Sequence, residues 1–427
     1  MLKDRLHSGV FKSTLIYTLS DGFCKALSFI MLPLVSYYLI PSQLGIAANF
    51  EVLLSIIMLL AGQAIVNSLP YFYYNRSKDE VRTIVSSLIY IIFISNIVFF
   101  GLVLIFTNNI YSYLHIGLTL QLLTILTCIS QLLCNINFIL YRLENKPFLF
   151  AKLQIVQSIT YILLIFLLVV EWRLGAVGKI LCSVLTFSLM ALLHIYLMVR
   201  RKLIVFSINR VIIKELLKFG IPLLPHALSF WIKGGMDKIL LTAFCGLTVN
   251  GLYSMALSFG GIYSIFHNAF SNAYIPYLQS RINKMTPEKA NSEKKEFVKL
   301  TYFIGLLFFV LSLMIVMICK LLMNYVLDPK YLPSFQFIPW IIFSLTIYSF
   351  YGLVIQYPYT VKKTFGLGLI TFCSSLVQLF FSYILLYSFG SDGIKYSLII
   401  GSLFTMLGVW WYSNKVYPLP WLSWYKK

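Results

Sequence analysis

Residues 83–106 read TIVSSLIYIIFISNIVFFGLVLIF, a run of 24 residues without a charged side chain. A helix needs about 20 predominantly apolar residues to cross the hydrocarbon core of a bilayer, so this run predicts a transmembrane helix. A helix is favoured over a barrel strand because the apolar residues are continuous rather than alternating. A helix also satisfies its own backbone hydrogen bonds in lipid.

The rest of the chain has the same character as this run. Of its 427 residues, 59% are hydrophobic and only 11% are charged, whereas about a quarter are charged in a soluble domain. The sequence therefore predicts an all-α integral membrane protein with about twelve transmembrane helices. The predicted spans are 10–38, 44–70, 83–106, 119–140, 153–170, 175–199, 219–242, 251–277, 299–320, 335–358, 366–389 and 394–414.

Lysine and arginine are distributed unevenly between alternate loops. With the N-terminus placed in the cytoplasm, 26 of the 34 basic residues fall in cytoplasmic segments, as the positive-inside rule requires. We therefore predict a multi-pass protein of the bacterial cytoplasmic (inner) membrane with both termini in the cytoplasm. The net charge of +20 is then mainly a topology signal. Contact with membrane lipids of negative charge is a secondary reading, and no nucleic-acid partner is expected.

Three segments of the first half recur in order in the second half. Gly45 recurs as Gly251, and residues 69–72 (LPYF) recur as 275–278 (IPYL), both at an offset of 206. Residues 175–178 (GAVG) recur as 390–393 (GSDG), at an offset of 215. The alternative is coincidence among helices rich in Leu, Ile and Phe.

A repeat after six helices places both halves in the membrane with the same polarity. It predicts two parallel-repeat six-helix bundles, an N-terminal lobe of residues 1–205 and a C-terminal lobe of residues 206–427. In such transporters the substrate site lies near the midplane, between the repeats.

Six ionisable residues inside the predicted spans are candidates for a functional role. A charge at the centre of a membrane helix costs ~2.5 to 3.5 kcal/mol on insertion scales, so such residues usually face a cavity or a partner. Two pairs among them have the spacing of four that places side chains on one helix face, on the first and on the seventh helix. The six residues are Asp21, Lys25, Glu51, Lys233, Asp237 and Lys238.

These charges admit two interpretations. In the functional one, Lys25, Lys233 and Lys238 attract an anionic head group, while the carboxylates Asp21, Glu51 and Asp237 exchange a proton or a sodium ion. In the other, each carboxylate neutralises its neighbouring lysine and holds helices together. For Lys238 and Glu51, snorkelling to the membrane surface is a further alternative.

The seventh span carries residues that interrupt helices. Proline inside a spanning helix removes backbone hydrogen bonds and kinks it, so Pro222, Pro225 and the pair Gly234 and Gly235 are candidate hinge residues for alternating access. His226 and Trp231 in the same span are candidate substrate-binding residues. Packing of a polar ring and anchoring at the membrane surface are their alternatives.

Signatures of catalysis are missing from the sequence. It contains no P-loop, no GxSxG and no HExxH motif, and its seven cysteines form no CxxC pair. We expect no enzyme, no catalytic residue, no metal site and no cofactor other than H+ or Na+ as a coupling ion. A membrane glycosyltransferase or polysaccharide polymerase is the alternative from another class.

Two motifs resemble a known family. Residues 219–226 (FGIPLLPH), followed by Trp231 and by Asp237 and Lys238, resemble the seventh-helix signature of the polysaccharide (O-antigen) flippases. These belong to the multidrug/oligosaccharidyl-lipid/polysaccharide exporter superfamily. The first hairpin, with Pro33 and then Gly45 before the second helix, is similar as well.

The resemblance implies a V-shaped fold like that of the multidrug and toxin extrusion (MATE) transporters. It also implies movement of undecaprenyl-pyrophosphate-linked oligosaccharide, a unit of O-antigen lipopolysaccharide or of capsule, to the periplasmic leaflet. Lys25 and Lys233 are the positions that would bind the pyrophosphate in a cationic cavity. A polysaccharide polymerase and chain-length proteins are further candidate partners. A multidrug or small-molecule antiporter of the same fold is the alternative.

Overall fold

A computed structural model describes residues 2–74, 76–205, 209–286 and 290–424. Within these ranges the regular elements are all helical, as the continuous apolar runs predict. The chain divides into two compact units, Met1–Trp231 and Ile232–Lys427, here called unit 1 and unit 2. The lobe boundary predicted at residues 205 and 206 lies earlier in the chain, and it stays a prediction about the repeat.

Unit 1 is held together by contacts of α1 with α8, of α7 with α9 and of α2 with α7. Short π-helical turns at Leu59–Gln63 and Phe166–Glu171 and a 3-10 turn at Ile221–Leu223 connect some of its helices. The α-helices of its described part are α1 (Leu2–Tyr38), α2 (Pro41–Met58), α3 (Ala64–Val66), α4 (Leu69–Tyr73), α5 (Lys78–Ile105), α6 (Thr107–Leu114), α7 (Leu118–Leu143), α8 (Pro147–Ile165), α9 (Gly175–Arg200), α10 (Arg210–Gly220) and α11 (Leu224–Trp231).

Unit 2 begins with a π-helical turn, Ile232–Met236, and contains a 3-10 segment at Pro329–Gln336. Its closest helix pairs are α16 with α17 and α14 with α17. The α-helices of its described part are α12 (Asp237–Lys284), α13 (Ala290–Val326), α14 (Ile338–Val354), α15 (Gln356–Thr360), α16 (Phe365–Phe389) and α17 (Asp392–Val416).

Eleven stretches of the described residues are long and apolar enough to cross a membrane. One of them, Arg210–Lys284, has 75 residues; at 1.5 Å per residue it would be about 110 Å long, several times the ~30 Å core. Its helix breaks at Gly246, whose φ is 83° and ψ is 170°, in the gap between the seventh and eighth predicted spans. When this stretch is counted as two spans, the total agrees with the predicted twelve.

The two glycine pairs of the repeat share two local features. Gly175 has φ +57° and Gly390 has φ +58°, a region that side chains rarely adopt. Three residues later, a Cβ atom on Gly178 or on Gly393 would collide with the main chain of the preceding helix. A positive φ and, three residues later, a close approach of the main chain thus recur in both halves. This is expected for a structural repeat rather than a coincidence of composition.

The helix break in unit 2 also has its counterpart in unit 1. Gly246 lies 206 residues after Ile40, the same displacement that relates Gly45 to Gly251. Ile40 has extended backbone (φ −82°, ψ 156°) and ends the link between α1 and α2. The boundary between the first two spans therefore falls at the same place in each half.

Candidate functional site

The seventh span is first interrupted at its prolines. Pro225 has no amide hydrogen to donate to the carbonyl of Ile221. The amide of Leu224 donates to that carbonyl instead, which closes the 3-10 turn Ile221–Leu223. Pro222 lies inside this tighter turn. The backbone thus departs from regular α-helix where the sequence predicts it.

The second interruption is the π-helical turn Ile232–Met236, which contains both candidate hinge glycines. Gly234 is exposed, and nothing lies within 4 Å of the place where its Cβ would be; Gly235 is buried. Turns of this kind are frequent at functional sites. The two units meet in sequence directly before this turn, so prolines and glycines flank the unit boundary. Their action as hinges stays a prediction.

Asp237 is the most deeply buried ionisable residue of the predicted set. Only 1% of its surface is exposed. The hydroxyl of Ser382 donates to one carboxylate oxygen at 3.0 Å, and the side-chain amide of Gln378 donates to the other at 3.1 Å. Both donors are neutral and belong to α16. Because a buried charge without an ionic partner is costly, this carboxylate is suited to take up a cation or a proton.

Lys233 lies one turn earlier in the same helix and is held by a different neighbour. Its ammonium group donates to the hydroxyl of Thr405 on α17 at 2.5 Å, and Thr405 itself is 1% exposed. The Gln378 amide also lies 3.3 Å from the carbonyl oxygen of Lys233. Gln378 thereby links the Asp237 carboxylate to the backbone of the Lys233 turn.

The expected pairing of Lys233 with Asp237 is not what the structure shows. Lys233 lies inside the π-helical turn Ile232–Met236, and Asp237 directly follows this turn. The Lys233 side chain reaches α17, and the Asp237 side chain reaches α16. The Asp237 carboxylate is thus hydrogen-bonded to neutral donors rather than paired with Lys233.

Unit 1 contains three of the other four charges in a more open setting. Asp21 accepts a hydrogen bond of 2.6 Å from the side-chain amide of Gln154 on α8. Lys25, four residues further along α1, is exposed. Glu51 is exposed as well and accepts a bond of 3.4 Å from the Ser183 hydroxyl.

The remaining candidates are divided between the units. Trp231 in unit 1 donates its indole N–H to the hydroxyl of Ser55 at 3.0 Å, and the ring of His226 packs edge-on against Phe230. Lys238 in unit 2 is partly exposed. The structure thus brings Lys233 and Asp237 together with α16 and α17, and it places His226 and Trp231 in unit 1.

Sequence reasoning missed the neutral members of the Asp237 site. Gln378 and Ser382 belong to a buried polar stripe of α16 at spacings of three and four residues. Such a stripe in an apolar span is a signal that the sequence does contain, because it marks a helix face that cannot be turned to lipid. Its members are Thr371, Ser374, Ser375, Gln378 and Ser382.

Lys179 is also absent from the candidate residues. It lies inside α9, with its ammonium group 2.5 Å from the Tyr161 hydroxyl and 4.9 Å from the centre of that ring. A tyrosine that both accepts a hydrogen bond and offers its ring face stabilises a partly buried lysine. The sequence gives little sign of this contact, because the two residues are 18 positions apart on different helices.

Known proteins resemble this chain over most of its length. Residues 10–282 match the family described as "Polysaccharide biosynthesis protein". A Haemophilus influenzae protein named "Lsg locus putative protein 1" is 22% identical over 418 residues, which is 95% of this chain and 98% of that protein. Another from the same organism, named "Uncharacterized membrane protein", is 21% identical over 280 residues, 64% of this chain and 66% of that protein.

Solved transporters share the fold. An inward-facing multidrug resistance MATE family transporter of the MOP superfamily superposes with a TM-score of 0.72 at 14% identity, covering 92% of this chain and 94% of that one. The Lipid II flippase MurJ in an inward closed conformation also gives 0.72, at 16% identity over 93% of this chain and 87% of that one. Because the family match extends over more than half of its residues, this multi-pass membrane protein belongs to the polysaccharide biosynthesis protein family.

Proposed function

We propose that this chain is a flippase that moves undecaprenyl-pyrophosphate-linked oligosaccharide from the cytoplasmic to the periplasmic leaflet of the inner membrane. The observation that carries the proposal is the polar site around Asp237 and Lys233, buried within membrane helices of a polysaccharide biosynthesis protein. The likeness to the Lipid II flippase MurJ supports it at the level of fold.

The cargo explains why such a site is needed. A pyrophosphate with several sugars cannot cross ~30 Å of hydrocarbon unaided. A polar crevice must shield the head group while the lipid tail stays in the bilayer, and no covalent bond changes. In this proposal Lys25 and Lys233 bind the pyrophosphate, and the two halves of the repeat alternate between inward-open and outward-open states.

The partners of Asp237 support coupling to an ion. Its two donors, Gln378 and Ser382, are neutral, so binding of H+ or Na+ would remove an uncompensated buried charge. The Gln378 amide also faces the Lys233 carbonyl, so a cation at Asp237 changes the surroundings of the turn that carries Lys233. Ion and pyrophosphate binding are then linked, and each changes the affinity for the other by the same factor.

A deletion strain of the organism that encodes this chain tests the proposal. We expect loss of surface polysaccharide, accumulation of lipid-linked oligosaccharide in the cytoplasmic leaflet, and rescue by the wild-type gene. The double variant Lys25→Ala with Lys233→Ala should fail to rescue. The matched control, Lys362→Ala with Lys363→Ala, removes two exposed loop lysines and should rescue fully. Normal polysaccharide with the Lys25 and Lys233 variant, at equal membrane abundance, would refute the cationic site.

A small-molecule antiporter is the second candidate, since the MATE transporter superposes as well as the flippase does. It makes a different prediction for the same deletion strain. Surface polysaccharide would be unchanged, and sensitivity to cationic drugs would rise. The two phenotypes separate the candidates without any purified protein.

A further inference from the structure

Helix α10 is fixed to unit 1 by one of its faces. Ile212, Leu216 and Gly220 are buried there, and a Cβ on Gly220 would come within 2.6 Å of the Ile65 side chain. Glu215, the acidic residue of this helix, pairs with a basic side chain of unit 1 at 3.2 Å. The opposite face of α10 is consequently turned away from its own unit.

The outward face of α10 combines cations with apolar side chains. Arg210, Lys214 and Lys218 are all exposed and recur every four residues. At 100° per residue they share an arc of about 140° with Ile213 and Leu217. These five residues, with Ile221, line a groove of about 480 Å³ where α10 meets the 3-10 turn.

In the part of the chain that the structure describes, the three cations are not neutralised. Within the ranges that the structure describes, no carboxylate forms an ion pair with Arg210, Lys214 or Lys218. They form a row about 12 Å long along the helix. The row of cations alone would bind many polyanions. The apolar residues alone would bind many hydrocarbon chains. Their combination on one face suits a molecule with an anionic head and an acyl chain.

We propose that the outward face of α10 binds an anionic phospholipid of the cytoplasmic leaflet. The lipid phosphate contacts Arg210, Lys214 and Lys218, and an acyl chain lies along Ile213 and Leu217. The groove is lined only by basic and apolar residues, so it lacks the amide, hydroxyl and aromatic groups that recognise sugars. A phospholipid therefore fits it better than the lipid-linked oligosaccharide does, and the proposal holds for a transporter of any cargo.

Native mass spectrometry of the purified full-length chain tests this site. The probes are phosphatidylglycerol, zwitterionic phosphatidylethanolamine of the same acyl chains, and undecaprenyl phosphate. Each surface cation contributes about five-fold to binding of anionic lipid. The variant Arg210→Gln with Lys214→Gln and Lys218→Gln should thus weaken phosphatidylglycerol binding on the order of 100-fold. Phosphatidylethanolamine binding should change little.

The control removes the same charge elsewhere. Lys78→Gln with Lys362→Gln and Lys363→Gln neutralises three other exposed lysines and should keep wild-type affinity. The variant Leu217→Gln keeps every cation and should weaken both phospholipids by a similar few-fold factor, because it removes only apolar contact. Should the α10 variant misfold, single charge removal at Lys214 still predicts a five-fold loss. Equal losses in both triple variants, no preference for phosphatidylglycerol, or tighter binding of undecaprenyl phosphate would each overturn the proposal.

Discussion

The leading helix of each half carries an aspartate and a lysine four residues apart, yet the two pairs have different surroundings. Asp237 is 1% exposed and receives two hydrogen bonds from α16, and Lys233 is held by a buried threonine. Asp21 is half-buried and receives a bond from Gln154, and Lys25 is exposed. The two halves therefore share the spacing of their charged residues, but only in unit 2 is the carboxylate buried.

From this difference we propose that the two halves of the repeat contribute unequally to transport. A buried carboxylate with neutral partners is unfavourable for folding alone, so its presence in unit 2 points to function there. A half-exposed carboxylate such as Asp21 carries a smaller desolvation cost, and less function needs to be assigned to it. Substitutions at equivalent positions should then have effects of different size.

The largest effect is expected for Asp237→Asn. The amide is nearly the same size as the carboxylate, so the contacts of α12 with α16 are kept while the charge is lost. Transport driven by an ion gradient should fall by ~100-fold, the upper part of the range for coupling between sites. A flipping assay with and without the gradient measures this.

Asp21→Asn is the control, with an expected change of a few-fold at most. If both aspartates gave equal losses, the inequality of the units would be disproved.

A smaller loss of transport is expected when the Lys233 side chain is removed or loses its hydrogen bond to Thr405. Lys233→Ala removes the charge and should lower the rate of flipping ~10-fold, in line with a charge-assisted hydrogen bond. Lys233→Arg keeps the charge and should retain part of the activity. Thr405→Val removes only the hydroxyl that holds the ammonium group, and it should give an intermediate rate. A rate for Thr405→Val at or below that of Lys233→Ala would mean that the contact, rather than the charge, matters.

Substitutions at Gly175 and Gly390 test a feature that the two halves share, the positive φ of these glycines. Alanine at Gly175 or at Gly390 must adopt a φ of +57° or +58°, which costs ~1 to 3 kcal/mol. Both variants should lower the free energy of unfolding by this amount in a denaturant titration followed by tryptophan fluorescence. Gly390→Ala should be the more destabilising, because its ψ of −140° lies outside the left-handed helical region that other residues tolerate, whereas the end of the Gln43 side chain near Gly175 can move. A neutral effect at either position would contradict a shared turn geometry.

The smallest effect is expected for Gln154→Leu in unit 1. This change removes the donor to Asp21, a partly exposed bond that contributes about 0.5 kcal/mol, the lower end of the usual range. Transport should fall by no more than about three-fold. The corresponding change in unit 2, Gln378→Leu, should have at least a ten-fold effect in the same assay, because it leaves a fully buried carboxylate with one donor fewer.

The membrane fold could be predicted almost completely from the sequence. Apolar runs of ~20 residues and their flanking charges determine the number of spans, since lipid leaves few alternatives to a helix. The seventh and eighth spans are also separated correctly, although α12 contains the end of one and the whole of the other and is broken between them only at Gly246. The repeat was visible because Gly175 and Gly390 occupy backbone conformations that other residues avoid.

The site could be predicted only in part. Ionisable residues stand out in apolar spans, so Asp237 and Lys233 were identified. Their hydrogen-bond partners were not identified. Asp237 and Ser382 lie on helices that are far apart in the sequence, so no spacing pattern predicts their contact. The sequence predicts an interruption at Gly234 and Gly235 but not its π-helical form.

Flipping by the purified chain in proteoliposomes tests the central claim most directly. The vesicles would contain undecaprenyl-pyrophosphate-linked oligosaccharide, and a membrane-impermeant reagent would report its appearance in the outer leaflet under a proton or sodium gradient. The account predicts rapid, gradient-dependent exposure with the wild type and almost none with Asp237→Asn. Exposure no faster than in protein-free vesicles, or equally fast with Asp237→Asn, would contradict it.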